Sequence, residues 1–486
     1  MYWILTAITL AGMILRLIRI NSPIDYDEAY TFIYYATKPF KQILSDYSAP
    51  NNHILHTILV SIVYQILGGH FWIVRLPALL AGTLCIPAAY FTARRMFNAE
   101  QALAGAALVA LTPWLISYSV NGRGYTLLAL LSLLLANFGA VLIRKQSRAA
   151  LVAYGITGAL GFYTVPIFLY PMAGVSLWVL IAYLTEKEPW EFRFRNVTNF
   201  LVLCALAGLL TFLLYSPVIF FGTGARSIFA NEFVESGDWT FVENLPRRAE
   251  RTWETWMIEI APWIQYLLLA GFLVSTFFYK KIATLRLPLQ LFLLLAIAIL
   301  LPIQRVAPFA RVWLYLEFFY LIFAGAGLAW LIFLAAKPIS GIVAPNKLIS
   351  GLVLIVVITV FVNGYRYYRQ PSVQADQTDV PELYAAEYLA EHLSSQDTIL
   401  SIAPVDMRVA YYLFMDGIPY DVFYQRTRPV KIENALIVLR TNTQYNSPER
   451  VLEFYNLTSN LNLQSAELVF QYGALNIFSV PANDSQ

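Results

Sequence analysis

Residues 53–68, HILHTILVSIVYQILG, are the apolar stretch whose placement decides the fold. As an α-helix, this stretch would be ~24 Å long at ~1.5 Å per residue, which is shorter than the ~30 Å hydrocarbon core of a bilayer. It also begins with two histidines, His53 and His56. We therefore predict that it does not cross, and that it is an interfacial helix within one long first external loop, residues 20–70.

Apolar runs recur along the rest of the chain. Of its 486 residues, 58% are apolar and only 13% are charged, which indicates a membrane protein. We predict a polytopic α-helical membrane protein with about eleven transmembrane helices near the ~20 residues needed to cross. The predicted spans are 2–19, 71–93, 101–120, 126–143, 149–164, 165–184, 197–221, 260–279, 287–303, 312–335 and 348–366.

The basic residues test this topology. If residues 53–68 do not cross and the N-terminus is cytoplasmic, the basic loops all lie in the cytoplasm, as the positive-inside rule prefers. These loops contain Arg94/Arg95, Arg144/Lys145/Arg148, Lys187/Arg193/Arg195, Lys280/Lys281/Arg286 and Lys337/Lys347. Counting residues 53–68 as a span would move every one of them outside. The first loop, Arg123, the Arg305–Arg311 turn and the C-terminal tail are therefore predicted to share the external face.

The composition changes after Tyr365. We predict a transmembrane domain over residues 1–369 and a small extracytoplasmic α/β domain over residues 370–486. Helices are predicted at 381–393 and 406–414, and strands at 397–402, at 435–439 and twice near 466–480. The two cysteines lie in apolar runs and exclude a disulfide framework. The net charge of +3 is spread between loops, so no nucleic-acid partner is expected.

An acidic stretch, Asp25-Tyr26-Asp27-Glu28-Ala29-Tyr30, follows the first apolar helix. Carboxylates at a boundary between hydrocarbon and water are costly to keep dry, so they suggest a functional site. The alternative is a solvated cluster beside a helix start.

Four motifs follow one another in the first third of the chain. They are Asp27-Glu28, Val74-Arg75-Leu76-Pro77-Ala78-Leu79, Ala93-Arg94-Arg95-Met96-Phe97 and Tyr118-Ser119-Val120-Asn121-Gly122-Arg123-Gly124-Tyr125. Together they resemble the C-type glycosyltransferases that use polyprenyl-phosphate sugars, in the branch of the protein O-mannosyltransferases and the lipid A aminoarabinose transferase. The turn at Arg305–Pro308 and Arg311 extends the resemblance to the last spans.

The resemblance implies a reaction and its residues. Asp27 would be the general base, acting with inversion, and Glu28 would position the acceptor, bind a metal or cap a helix. Arg123, His53, His56, Arg305 and Arg311 are the candidates for the donor phosphate. For the arginines, interfacial snorkelling is the structural alternative, and Glu317 is an expected ion-pair partner of Arg311. Further candidates for acceptor or sugar contacts are Asp25, Asn52, Tyr125 and Tyr163, although Tyr163 could equally be a packing residue.

One departure from the family pattern affects the phosphate site. Family members often have a Pro-Pro-Leu-Tyr type segment or a lysine where this chain has Asn-Asn-His-Ile-Leu-His, residues 51–56. A histidine can replace lysine as a hydrogen-bond donor. A divalent metal ion at Asp27 and His53 is a second interpretation, and no other cofactor is expected.

The expected partners are a polyprenyl-phosphate sugar donor, the lipid bilayer, and a glycan, lipid or protein acceptor. The expected location is the inner (plasma) membrane, with the C-terminal domain in the periplasm. Two other functions stay open: a transporter or lipid flippase with an external capture domain, and a membrane anchor for an envelope complex. A transporter would show internal repeats, broken helices and ionisable residues at mid-membrane.

Overall fold

The computed structural model describes residues 1–145, 147–229, 241–339, 344–368, 370, 379–426 and 430–483. These residues form two compact units. The first unit consists of Met1–Ile20, Pro39–Val60 and Arg75–Tyr368, and the second of Asn21–Lys38, Ser61–Val74 and the chain from Arg369 onward. Two parts of the first external loop therefore belong to the same unit as the C-terminal region.

Most of the described chain is α-helical, with a π-helix at Phe32–Ala36 and short 3₁₀ turns between some helices. The helices are α1 (Tyr2–Ile18), α2 (Tyr26–Thr31), α3 (Phe40–Ser45), α4 (Ile54–Leu67), α5 (Leu76–Met96), α6 (Ala99–Leu111), α7 (Pro113–Ser119), α8 (Tyr125–Arg144), α9 (Arg148–Thr164), α10 (Leu169–Leu184), α11 (Trp190–Phe221), α12 (Ala225–Phe229), α13 (Phe241–Trp256), α14 (Pro262–Phe277), α15 (Tyr279–Ile282), α16 (Leu289–Gln304), α17 (Leu314–Ala336), α18 (Pro345–Tyr368), α19 (Pro381–His392), α20 (Asp406–Met415) and α21 (Pro448–Tyr455).

The predicted spans coincide with observed helices, and the mostly helical fold is confirmed. Among the described residues, six helices are long and apolar enough to cross a membrane, or seven if α6 and α7 are one bent span. The number eleven stays a prediction. Helix α4 has 14 residues, as expected for a helix too short to span, and it is followed by Gly68, whose φ of +79° favours glycine. Its interfacial position also stays a prediction.

Glycines on α17 allow helices of the first unit to pack backbone to backbone. A Cβ added at Gly325 would lie 2.5 Å from the backbone nitrogen of Gly105 on α6, and one added at Gly327 would collide with the carbonyl of Gly271 on α14. Small residues at such crossings are typical of helices packed in membranes, where close approach supplies van der Waals contact. Helix α17 is thus the centre of this packing.

A buried arginine holds the bend between α6 and α7, whose axes differ by 63°. Pro113 has no N–H, so the carbonyl of Val109 loses its helical donor. Arg16 on α1 is fully buried and supplies the missing donor. Its Nη2 donates to the Val109 carbonyl at 3.4 Å, and its Nη1 donates to the Ala110 carbonyl at 3.0 Å. Its Nε donates to Ser119 Oγ at 2.9 Å, so one side chain joins α1 to both halves of the bent pair.

The C-terminal region contains the sheet of the second unit. Its strands are β1 (Asp397–Ser401), β2 (Asn434–Arg440), β3 (Glu467–Tyr472) and β4 (Leu475–Pro481), in the order β1-β2-β4-β3. Strands β1 and β2 are parallel and the other pairs antiparallel. The predicted helices and strands of this region are confirmed, whereas α21 was not predicted, because it has only eight residues and these are polar on average. The predicted boundary at 369/370 adjoins residues outside the described ones.

Candidate active site

The acidic stretch forms the start of helix α2. Asp25 is the N-cap and Glu28 is the third helical residue, and the backbone N–H of Asp25 donates to Glu28 Oε2 at 2.9 Å. This is the glutamate half of a capping box, which satisfies an N–H that the helix itself cannot. Glu28 is fully buried, whereas Asp27 beside it is half-exposed. Of the three roles considered for Glu28, helix capping is confirmed, and its catalytic role stays a prediction.

His53 is fixed by a backbone hydrogen bond in the first unit. The N–H of Gly124 donates to His53 Nδ1 at 2.8 Å, so the remaining ring nitrogen, Nε2, carries the proton of the neutral imidazole. A Cβ at position 124 would lie 3.0 Å from His53 Nδ1, which explains the glycine there. Burial, and then the nearby charges of Arg123 and Arg311, hold the pKa of His53 well below its usual value. The neutral form has one donor left to offer a ligand.

His56 is also buried and neutral. Burial, followed by the charge of Arg123, lowers its pKa to about 3. Neither ring nitrogen has a hydrogen-bond partner among the described residues. A buried polar group without a partner costs free energy, so His56 has unused capacity for a donor or acceptor contact.

Arg123 lies directly before Gly124 and is nearly buried. Its Nη2 donates to Asn51 Oδ1 at 3.3 Å, and its Cζ lies 5.1 Å from the centre of the Tyr125 ring. The His53 ring packs edge-on against the same Tyr125 ring, with centroids 4.9 Å apart. Arg123, Tyr125, Asn51 and His53 are therefore one contact group, with Arg311 close enough to influence the pKa of His53.

Arg305 and Arg311 lie at the turn between α16 and α17. Arg305 ends α16 in the left-handed conformation, with φ 53°. Arg311 Cζ lies 5.0 Å from the centre of the Phe309 ring, and Arg248 from α13 lies 4.1 Å from the same ring. Arg248 was not among the predicted site residues, because its position in the first unit depends on packing between distant segments.

The expected ion pair between Arg311 and Glu317 is wrong. Both carboxylate oxygens of Glu317 are buried and have no hydrogen-bond partner among the described residues. The guanidinium of Arg311 lies against the Phe309 ring instead, since the 3₁₀ turn at Ala310–Trp313 separates it from the α-helix that contains Glu317.

Asn52 and Tyr163 lie in packing contacts of the first unit. Asn52 Nδ2 donates to the carbonyls of Ile43 at 3.0 Å and Asp46 at 2.7 Å, which ties the loop to α3. The Tyr163 ring packs edge-on against Tyr215 at 5.6 Å. Their contact with an acceptor or sugar stays a prediction, as does that of Asp25, whose Oδ1 lies 3.8 Å from Nη2 of Arg408.

The predicted metal site has little support in the side chains. Within the described ranges, no group of three His, Cys, Asp or Glu side chains could hold a metal ion. His53 Nδ1 already accepts the Gly124 N–H, so it is not free to ligate. The metal ion stays a prediction, and no step of the reaction below is assigned to one.

Comparison with known proteins is consistent with this arrangement. Residues 51–221, which include His53, His56 and Arg123, match the family model described as dolichyl-phosphate-mannose-protein mannosyltransferase. The crystal structure of ArnT from Cupriavidus metallidurans in the apo state superposes with a TM-score of 0.61 at 14% identity, covering 98% of this chain and 97% of that one. The chain has the fold of the C-type glycosyltransferases.

Two further structures share this C-type fold. ArnT from Cupriavidus metallidurans bound to undecaprenyl phosphate gives a TM-score of 0.56 at 13% identity, covering 98% of this chain and 97% of that one. The oligosaccharyltransferase AglB from Archaeoglobus fulgidus, in complex with an inhibitory peptide and a dolichol-phosphate, gives 0.50 at 11%, covering 100% of this chain and 74% of that one. No curated protein sequence matches the chain significantly. The resemblance seen in the motifs is confirmed.

Proposed function

We propose that this protein is a membrane glycosyltransferase that moves a hexosyl or pentosyl group from a polyprenyl-phosphate donor to an acceptor hydroxyl. The observation that supports this most is the buried basic group around His53. The charges of Arg123 and Arg311 both act on that histidine, so a positive potential converges on a site where little water screens it. Such a potential is complementary to a lipid phosphate.

The basic group has two tasks in the proposed reaction. In the ground state, Arg123, Arg311 and the Nε2–H of His53 bind the donor phosphate. When the bond between the anomeric carbon and the phosphate oxygen breaks, negative charge grows on that oxygen. Fixed cationic donors stabilise this charge more than they stabilise the bound donor, which accelerates the step.

Asp27 is the proposed general base. As the acceptor oxygen bonds to the anomeric carbon, its proton passes to the Asp27 carboxylate, and polyprenyl phosphate leaves with the electron pair of the broken bond. Direct displacement inverts the configuration at the anomeric carbon. Glu28 caps α2 in this scheme and so supports the residue before it.

The location and partners follow the predicted topology. The proposed site is on the external face of the plasma membrane, with the C-terminal region in the periplasm. The acceptor is a glycan, a lipid or a protein of the cell envelope. The undecaprenyl phosphate bound to ArnT and the dolichol-phosphate bound to AglB support a lipid-linked donor.

A transporter is the second candidate, because the bend between α6 and α7 is a broken helix. In transporters, the backbone carbonyls freed by such a break coordinate the transported ion. Here the carbonyls of Val109 and Ala110 accept hydrogen bonds from Arg16, so they are not available for an ion. This contact favours the transferase.

Reconstitution separates the two functions. Purified protein in sealed vesicles would receive a panel of polyprenyl-phosphate hexoses and pentoses, each with a labelled sugar, together with extracted envelope acceptors. A transferase produces free polyprenyl phosphate and labelled acceptor from one member of the panel. Label that changes leaflet while its phosphate linkage stays intact would indicate a flippase and contradict the proposal.

A further inference from the structure

The segment that contains Asp27 is packed against the C-terminal region within the second unit. The backbone N–H of Ile24 donates to the Tyr412 hydroxyl at 3.4 Å. Phe32, at the end of α2, packs edge-on against Tyr411 and Phe414 of α20, with ring centroids 5.6 and 5.7 Å apart. Both ends of α2 therefore contact helix α20.

Helix α2 cannot set its own orientation. With its six residues and the five of the π-helix Phe32–Ala36 that continues it, the helical segment has eleven residues, still fewer than the ~12–15 that an isolated helix needs for even marginal stability in water. Its capping box, of which both halves are present, satisfies N–H groups at the helix start and gives the helix no direction in the fold. The direction of every side chain on α2, including that of Asp27, therefore depends on the elements that hold it.

Tyr26, next to Asp27, supplies one polar contact to α20. Its hydroxyl faces the carboxylate of Asp406, the first residue of α20, closely enough for each group to shift the pKa of the other. Burial raises the pKa of Asp406 to about 6, while the Tyr26 hydroxyl opposes that rise. Burial, followed by the charge of Asp406, also raises the pKa of Tyr26, so the hydroxyl remains a donor.

Arg408 supplies a second polar contact. Its Nη2 lies 3.8 Å from Asp25 Oδ1, at the N-cap of α2, and its Nη1 lies 3.5 Å from Glu382 Oε1 on α19. The same glutamate oxygen is bound by Nη2 of Arg440 on β2 at 2.8 Å. Arg408 thus links the N-cap residue of α2 to the buried carboxylate of Glu382, which is also bound by Arg440 of strand β2.

We propose that the C-terminal α/β region positions helix α2 for reaction, with Tyr26, Asp406 and Arg408 as positioning residues. The inference rests on the proposed function, because Asp27 is the group being positioned. It gives the C-terminal region a direct part in turnover, since a displacement of ~1 Å at a reacting group can cost ~10²-fold in rate.

Two arginines provide a matched test. Both bind Glu382, and Arg408 also reaches Asp25. In the full-length protein with the lipid-linked sugar that it turns over, Arg408→Met should lower kcat about tenfold or more and leave the Kd of the donor unchanged. Arg440→Met should keep kcat within about twofold of wild type, although it breaks the shorter ion pair. Arg408→Lys should restore part of the loss. Equal losses in the two methionine variants would mean that the cluster only maintains the fold, and would overturn the proposal.

Tyr26→Phe provides a second test that removes a single oxygen. Measured well below the temperature of unfolding, kcat should fall about tenfold, because a misplaced reacting group slows the step, while the temperature of unfolding should fall only slightly as Asp406 loses a favourable contact. Asp406→Leu should lower kcat similarly, and Tyr26→Phe/Asp406→Leu should be no slower than either single variant. The leucine variant should unfold at the same or a higher temperature at pH 7.5, because the raised pKa of Asp406 means that its charge costs stability above about pH 6.

Asp27→Asn in the same series separates the two claims. If it is inactive while Tyr26→Phe and Arg408→Met turn over at wild-type rates, the positioning proposal fails and the proposed function stands. If Asp27→Asn turns over normally, the proposed function fails and the positioning proposal fails with it.

Discussion

At the scale of single residues, His53 and His56 in the first unit are buried and neutral, whereas Asp27 in the second unit is half-exposed. His53 and His56 are buried and lie near arginines, so neither takes up a second proton near neutral pH. The sequence of residues 51–56 was enough to name both histidines as candidates for binding the donor phosphate. Their neutrality could not be predicted, because it depends first on burial and then on the charges of Arg123 and, for His53, of Arg311, which follow much later in the chain.

The depressed pKa of His56 predicts how stability depends on pH. Its folded pKa lies near 3 and its unfolded value near 6.5, so the unfolded chain takes up the extra proton between these values. Stability is therefore full above about pH 6.5 and falls by up to about 1.4 kcal/mol per pH unit below it for this histidine. Thermal unfolding in detergent should show a smaller fall between pH 7.5 and 5.5 for His56→Leu than for wild type. Equal falls would contradict the assigned environment.

At the scale of elements, hydropathy predicts most of the helices and strands, because a helix or strand buries the side chains of its own local pattern. The break at Pro113 and its connection through Arg16 were not predicted, since they require α1, α6 and α7 to meet. Arg16 matters for the site because α7 leads into the segment that contains Arg123. Its role in joining α1 to α6 and α7 cannot be predicted from the residues next to it in the sequence.

Arg16→Met tests this support. The change leaves buried carbonyls and Ser119 without their donor, at a cost of about 1–3 kcal/mol for each unsatisfied group. We expect the temperature of unfolding to fall by several degrees and donor binding to weaken, because the segment before Arg123 loosens. Arg95→Met, at an exposed arginine near the end of α5, is the control and should change neither. The same loss in both variants would exclude a specific role for Arg16.

At the scale of the whole molecule, the pattern of basic loops predicts the topology, but it does not predict which segments pack together. The structure places residues 21–38 and 61–74 in one unit with the C-terminal region. Aromatic residues beside a membrane helix are typical of the bilayer surface, yet Phe32 packs on Tyr411 and Phe414. An aromatic side chain has the same local signature in both settings, so only the folded structure distinguishes them.

Cysteine labelling tests the topology in intact cells. Gly69→Cys and Ser394→Cys, in a Cys204→Ser background, should react with a membrane-impermeant maleimide from outside, because residues 53–68 are predicted not to cross. Lys145→Cys is the opposite-side control and should react after permeabilisation only. If Gly69→Cys also required permeabilisation, α4 would be a span and the external assignment of the site would be wrong.

The central claim is that Asp27 is the base of a sugar transfer, and the turnover of Asp27→Asn at saturating donor tests it most directly. Asparagine keeps the shape of the side chain and cannot hold the proton, so kcat should fall about 10²- to 10⁴-fold while the Kd of the donor stays near that of wild type. Arg123→Ala should weaken donor binding, and Asp46→Asn in the same loop should remain active, because an amide oxygen can still accept the Ser48 N–H. Turnover of Asp27→Asn above about a tenth of the wild-type rate, far more than the loss of a general base allows, would contradict the account.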